Sequence, residues 1–299
     1  IGGVLISLFS GFFFSKRIVS PIKSIMNEVR EISSKNLSRR IIVTKSSDEL
    51  DKLSATFNEL LDRLQESFLI QQRFIANASH ELSTPLTSIS SQLEITLTKG
   101  RSSEEYRSIL FSVYEDVKNL NQLTRSLLEI AKASGTAQGI ELSSVRVDEL
   151  LMKLPAHCKN VDAAYKVELN FESFPDEEKR LMVFGNSDLL YSAIQNIVLN
   201  ACKFSNNHQA NVSLLFSENH VRVNIQNTGS VISKEERDLI FYPFYRGIAA
   251  LKEKGVGLGL SLAQRIIKIH KGEITVQSAD TGSTTFSIQL PIENLFHQL

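Results

Sequence analysis

The sequence predicts a multidomain chain, with an all-α N-terminal part built to form four-helix bundles in a dimer and then an α/β two-layer sandwich. Three observations carry this. Up to about residue 132, apolar residues recur at steps of three and four, the spacing of helices with a narrow seam. A turn signal at Gly100 divides that region. After Ile140 the texture changes to five short β-rich runs separated by two helical stretches. Composition agrees with folded domains: 299 residues, 42% apolar and 22% charged. With 33 basic and 33 acidic residues the formal net charge is zero, which argues against an electrostatic grip on nucleic acid. Two cysteines, Cys158 and Cys202, form no Cys/His cluster and read as ordinary buried thiols.

The elements follow in order. Residues 1–15 are uncharged and mostly apolar. As a helix they reach roughly 22 Å at ~1.5 Å per residue, short of the about 30 Å bilayer core. They are expected to be the end of a transmembrane helix. Lys16 and Arg17 then mark its cytoplasmic side and leave everything from Lys16 onward cytosolic, at the cell's inner (cytoplasmic) membrane. Ile18, Ile22, Ile25, Val29 and Ile32 seam one helix, with Pro21 early, where a helix tolerates it. Leu50, Leu53, Phe57, Leu60 and Leu64 seam a second, opened by Asp48 and Glu49. Two such seams cannot both be buried in one copy, which predicts a parallel dimer. The second helix runs on past Phe68 to the Gly100 turn. Another helix follows, seamed by Leu110, Val113, Val117, Leu120, Thr124, Leu127 and Ala131. Residues 135–139 read as a linker. Beyond it, strands are predicted over 166–172, 210–217, 220–227, 272–278 and 283–290, with helices at about 186–204 and 258–270.

Four constellations carry chemistry. In the first, His80 precedes Glu81 on a helix, with Thr84 one turn on and Pro85 within the same helix. Histidine is nucleophilic near neutral pH when one ring nitrogen is unprotonated, and Glu81 is placed to accept the proton of the other. Pro85 removes a backbone donor and loosens the helix beside the reactive residue. In the second, Asn196, Asn200 and Lys203 share one stripe of an otherwise apolar helix. Amide oxygens suit Mg²⁺, and a lysine reaches phosphate. Asn227 and Gly229, at the end of an alternating strand, suit a base edge and a close backbone approach. Gly255, Gly257, Leu258 and Gly259 precede an amphipathic helix, an arrangement that brings backbone to phosphates. The spacing is not the dinucleotide fingerprint, and no strand precedes it. Between the last two lie Phe241, Phe244, Tyr245 and Arg246, which read as the anchor of a lid over 230–254.

With these residues in order, the sequence resembles a bacterial sensor histidine kinase of a two-component system. The resemblance divides the chain into the end of a transmembrane helix (1–15), a HAMP signal-relay domain (16–68), a dimerisation and phosphoacceptor hairpin (69–134), a linker (135–139) and an ATP-binding catalytic domain (140–299). It implies ATP and Mg²⁺ as cofactors. It also implies a homodimer, a membrane connection through the N-terminal helix, a response regulator receiver domain as partner, and no nucleic acid. On it, His80 is the phosphorylated residue, Glu81 the general base, and Thr84 the residue used in dephosphorylating the regulator. Asn196, Asn200 and Lys203 match the N box, with Asn200 as Mg²⁺ ligand. Tyr245 and Arg246 fall in the F box, and Gly255, Gly257, Leu258 and Gly259 in the second glycine box. Thr284 lies in the late glycine motif. The chain departs from the pattern at Asn227, where an aspartate is usual, and at Val231, where a glycine is usual. Those departures motivate an alternative, a degenerate kinase acting mainly as phosphatase or scaffold. A simple ATPase of the topoisomerase or chaperone type is a further one.

Overall fold

The structure is a computed structural model that describes residues 2–3, 11–12, 20–32, 36–41, 49–132, 141–171, 175, 178–253 and 255–293. Most of the apolar run 1–15, Lys16 and Arg17, Asp48 and the 135–139 linker lie outside the described residues. Among the described residues no helix is long and apolar enough to cross a membrane. The chain divides into two compact units, 1–76 and 77–299.

In the first unit, α1 (Ser20–Glu31) and the beginning of α2 (Glu49–Leu97) carry the two expected seams. Ile22, Leu53, Leu60 and Leu64 are exposed in a single copy. The segment before α2 is tied down by its backbone. Ile41 is buried, its N–H donates to Asn58 Oδ1 at 2.8 Å, and Asn58 Nδ2 returns a bond to the Ile41 carbonyl at 2.9 Å. Such reciprocal amide pairing satisfies an extended backbone where no neighbouring strand is available. Arg40 braces the same joint through Nε to Asp62 at 2.8 Å.

The second unit begins on α2, which continues through Pro85 to Leu97. The turn after it is closed by a capping box ahead of α3 (Ser103–Lys132). Glu105 N–H donates to Ser102 Oγ at 3.2 Å and Ser102 N–H to Glu105 Oε2 at 2.8 Å. Within the hairpin, Ser88 Oγ donates to Asp116 Oδ2 at 3.2 Å. The expected seam of α3 is partly open: Leu110, Val117 and Ala131 are exposed, and Val113, Leu120, Thr124 and Leu127 are half-buried. Leu123 and Ile130, on a different face of α3, are buried.

The remainder is the expected two-layer sandwich. All five anticipated strands form: β2 (Lys166–Phe171), β4 (Gln209–Phe216), β5 (His220–Thr228), β6 (Glu273–Ser278) and β7 (Ser283–Pro291). Their order is β2-β4-β5-β7-β6, with β2 and β4 parallel and the other pairs antiparallel. One face is covered by α6 (Ser187–Lys203) and α8 (Gly259–Ile269), with the helix Leu154–Val161 against β2 beside them. Between α6 and α8 lies α7 (Glu236–Leu239), a single turn in the lid segment. Leu190, Ile194 and Ile197 of α6 and Leu262, Ile266 and Ile267 of α8 meet Leu214, Ile225, Ile288 and Leu290 of the sheet, all fully buried. At about 1.5–3 kcal/mol per side chain, this interior is the main cohesive element of the domain.

The sequence reading missed a second, two-stranded sheet. Its strands are β1 (Ser143–Arg146) and β3 (Met182–Gly185), paired antiparallel. They are four residues each, too short to show alternation. The helices α4 (Val147–Met152) and α5 (Leu154–Val161), which follow β1, were missed for the same reason. Cys158 and Cys202 are both free and buried, as expected, but they also lie together. The bond to Cys158 and burial push the Cys202 thiol up, so it stays protonated.

His270, 1% exposed, ties the small sheet to the large layer. Its Nδ1 lies 2.7 Å from the Ile266 carbonyl, and its Nε2 accepts from Asn186 N–H at 3.0 Å. Both bonds are met by the neutral ring carrying its proton on Nδ1. Burial pushes its pKa below the ordinary value, partly opposed by the Ile266 bond. Below about pH 6.5 the unfolded chain therefore takes up the proton first. Stability is fully present above that pH and falls as pH drops towards the folded value, by at most about 1.4 kcal/mol per pH unit. Thermal melts between about pH 8 and pH 5.5 should show this decline, and His270→Gln should flatten it. An unchanged slope in the variant would remove His270 as its source.

Candidate functional site

A cavity of about 640 Å³ opens at one end of the layer, between α6, the start of α8, the segment after β5 and the face of α3. Of the residues singled out from sequence, Glu81, Asn196, Asn200, Lys203, Asn227, Tyr245, Arg246, Gly255, Gly257, Leu258, Gly259 and Thr284 line it. Residues as far apart in the chain as Glu81 and Thr284 thus converge on one space. His80, Thr84 and Gly229 are not on the wall.

The α6 stripe forms one side. Asn186 starts the helix by accepting from Leu189 N–H at 3.0 Å, a standard cap. Asn196 Nδ2 is spent on the Ser192 carbonyl at 2.9 Å, and its Oδ1 packs against Gly259, where a Cβ would come within 3.0 Å. Asn200 differs, because its side chain has no hydrogen-bond partner among the described residues. Its amide oxygen is thus a free hard ligand facing the cavity, which fits Mg²⁺. Burial lowers the pKa of Lys203; the Glu253 carboxylate opposes this and the Arg246 guanidinium adds to it.

The lid segment is locked to the glycine loop. Phe244 N–H donates to the Gly257 carbonyl at 2.9 Å, and Phe244 itself sits at φ 64. Gly257 has φ 79, and a Cβ there would lie 2.7 Å from the Tyr245 carbonyl, so only glycine fits. Arg246 Nη2 donates to the carbonyls of Ala250 and Glu253. In the structure it braces the 3₁₀ turn Ile248–Lys252 while bordering the cavity. No side chain caps the first turn of α8, which leaves backbone N–H groups of that turn at the cavity edge.

Gly229 has a different reason from the one expected. A Cβ there would fall 2.0 Å from the Phe204 carbonyl, so the close approach is to the end of α6 and not to a ligand. Asn227, one strand position before Thr228, is 5% exposed and points its amide at the cavity without a hydrogen-bond partner among the described residues.

On the hairpin, His80 is exposed and its ring makes no hydrogen bond among the described residues. Glu81, half-buried, reaches the cavity wall. The Thr84 hydroxyl donates to the His80 carbonyl at 3.0 Å, leaving its oxygen lone pairs free. Pro85 has no N–H, so the Glu81 carbonyl loses its helical partner in the turn that carries His80. Sequence reasoning missed Asn119, Gln122, Leu123 and Ser126 of α3, which complete the wall. Their steps of three and four mark a helix face, but a polar face is ordinarily read as solvated. One bond fixes α3 to α6 here, from Ser192 Oγ to Glu129 Oε2 at 3.1 Å.

Comparison with known proteins agrees with this geometry. Three family descriptions match along the chain: the HAMP domain at 13–66, the His Kinase A (phospho-acceptor) domain at 70–136, and the histidine kinase-, DNA gyrase B- and HSP90-like ATPase at 185–294. The last implies that the α/β domain binds ATP. The sensor protein CutS of Streptomyces coelicolor is 30% identical over 298 residues, covering 98% of this chain and 70% of CutS. The sensor histidine kinase CusS of Escherichia coli K12 is 28% identical over 275 residues, covering 91% of this chain and 56% of CusS. In fold, the chain is similar to a solved structure of the histidine kinase ThkA in complex with the response regulator protein TrrA. That match has TM-score 0.60 at 21% identity and covers 82% of this chain and 68% of that one. The histidine kinase AdeS of Acinetobacter baumannii has a TM-score of 0.57 at 20% identity and covers 71% and 98%. The helical hairpin, the α/β layer with its lined cavity and this kinship agree: the chain belongs to the sensor histidine kinases of two-component signal transduction.

Proposed function

We propose that His80 is the residue this kinase phosphorylates, with the cavity as the place where Mg²⁺ and ATP bind. The observation that supports this most directly is the shared wall. Glu81, the residue after His80, borders the same space as Asn196, Asn200 and Lys203. A ring nitrogen of His80 attacks the γ-phosphorus, the bond from that phosphorus to the ADP oxygen breaks, and Glu81 takes the imidazole proton. Asn200 offers its free amide oxygen to Mg²⁺, which when bound neutralises phosphate charge. Lys203 and the uncapped N–H groups of α8 hold the phosphates. Catalysis on this reading is mainly positioning and charge neutralisation.

The phosphoryl group then passes to an aspartate on the receiver domain of a response regulator. Thr84, whose oxygen can still accept a hydrogen bond, holds the water that hydrolyses the regulator's aspartyl phosphate, breaking its phosphorus–oxygen bond and releasing inorganic phosphate. The exposed seams, with Leu110, Leu60 and Leu64 among them, support a homodimer. The HAMP match supports division into the modules 16–68, 69–134 and 140–299 and attachment to the inner membrane through residues 1–15, with the rest cytosolic.

The test is incubation with ATP carrying a radioactive γ-phosphate, with and without Mg²⁺. Acid-labile labelled protein is expected only with Mg²⁺. Free phosphate alone would point to an ATPase. Asn200→Ala should lower the labelling rate by roughly a hundredfold or more, the scale of losing one electrostatic contact to the reacting phosphate. It should leave the melting temperature within a few degrees, because the Asn200 side chain has no hydrogen-bond partner among the described residues. A labelling rate unchanged in this variant would remove Asn200 from the metal site.

A further inference from the structure

The floor of the cavity carries an unusual pair of polar groups. Asn227 on β5 and Thr284 on β7 are register partners on the inner face of the sheet, both buried and both on the cavity wall. Asn227 is uncommitted: no hydrogen bond within the described residues fixes which way its amide points. Thr284 Oγ1 lies 2.8 Å from Ser278 Oγ, and either oxygen can be the donor. Ser278 Oγ also accepts from Ile232 N–H at 3.0 Å, so it can take a second bond from Thr284 or give its own proton to it. Thr284 can therefore face the cavity as acceptor or as donor.

Both groups are neutral and both are reversible. A carboxamide presents an acceptor and a donor side by side, and half a turn about its last torsion exchanges them. Adenine offers an amine donor beside a ring-nitrogen acceptor, whereas guanine offers a carbonyl acceptor beside a ring N–H donor. An acceptor-only carboxylate at this position meets the donor of either edge but opposes its acceptor, the ring nitrogen of adenine or the carbonyl of guanine. Asn227 meets either.

We propose that Asn227, with Thr284 beside it, makes this cavity a purine site that accepts guanine as well as adenine nucleoside triphosphates. The inference rests on the nucleotide-binding reading above and adds the base specificity. Titration calorimetry of the full chain with Mg-ATP and with Mg-GTP tests it. The wild type is expected to bind both with dissociation constants within about tenfold of each other. Asn227→Asp, which keeps the acceptor and loses the donor, should weaken both nucleotides by about tenfold or more. Asn227→Leu, of similar size, should weaken both nucleotides alike. A wild type that already prefers ATP by about a hundredfold, or an Asn227→Leu variant that binds both nucleotides as the wild type does, would overturn the specificity while leaving the ATP site intact. Binding of neither nucleotide would overturn the site itself.

Discussion

Replacing His80 with Gln is expected to abolish acid-labile labelling from ATP, a fall of more than about a thousandfold. The size follows from the chemistry. No other atom at that position can form the phosphorus–nitrogen bond, so the step is removed and not merely slowed. The structure makes the experiment clean. His80 is exposed, its ring bonds to nothing among the described residues, and it is not on the cavity wall. Substitution should leave stability within about 0.5 kcal/mol and nucleotide affinity unchanged. Intact ATP binding with lost labelling separates an acceptor from a residue that holds the nucleotide. Persistent labelling would assign the phosphate to another side chain and sink the central claim.

Gly229→Ala is expected to give the largest loss of stability among single-methyl changes at the site. The added Cβ would fall 2.0 Å from the Phe204 carbonyl, and backbone, unlike a flexible side chain, cannot swing away. The joint is fastened from both directions. Asn206 N–H donates to the Thr228 carbonyl at 2.8 Å and Gly229 N–H to the Gly282 carbonyl at 2.7 Å. Separating the end of β5 from the end of α6 strains both bonds. A cost of about 2–3 kcal/mol is expected, in the range for overpacked interiors. For a domain of this size it lowers the melting temperature by roughly 5–10 °C. Calorimetry should follow the transition that Mg-ATP raises, which reports the α/β domain. Because Gly229 lies behind the wall, the folded fraction should keep near-normal ATP affinity. A variant that melts normally but fails to bind ATP would return Gly229 to the base site.

Much of the fold was legible because it is encoded locally. Helical seams appear as steps of three and four, and the five long strands appear as alternation, since those patterns reflect the geometry of a few adjacent residues. The short elements were not legible. The four-residue strands β1 and β3 owe their existence to one another and to His270, which reaches Asn186 across 84 residues. The motif residues were found by type and spacing, but not the packing contacts that some of them make. Arg246 braces the lid turn, and Gly229 serves packing.

By itself, then, the sequence determined the modules, the chemistry available at His80, Asn200 and Lys203, and the kinship they suggest. Only the tertiary structure decided which of those groups share a space. It brought Glu81 and the Asn119, Gln122 and Ser126 face of α3 to the α6 stripe. Among the described residues, it also left Asn200 and Asn227 with uncommitted amides while spending that of Asn196. The reason is physical. Periodicity fixes which way a side chain leaves its own helix or strand, whereas what it meets depends on elements far away in the chain, which packing alone brings near.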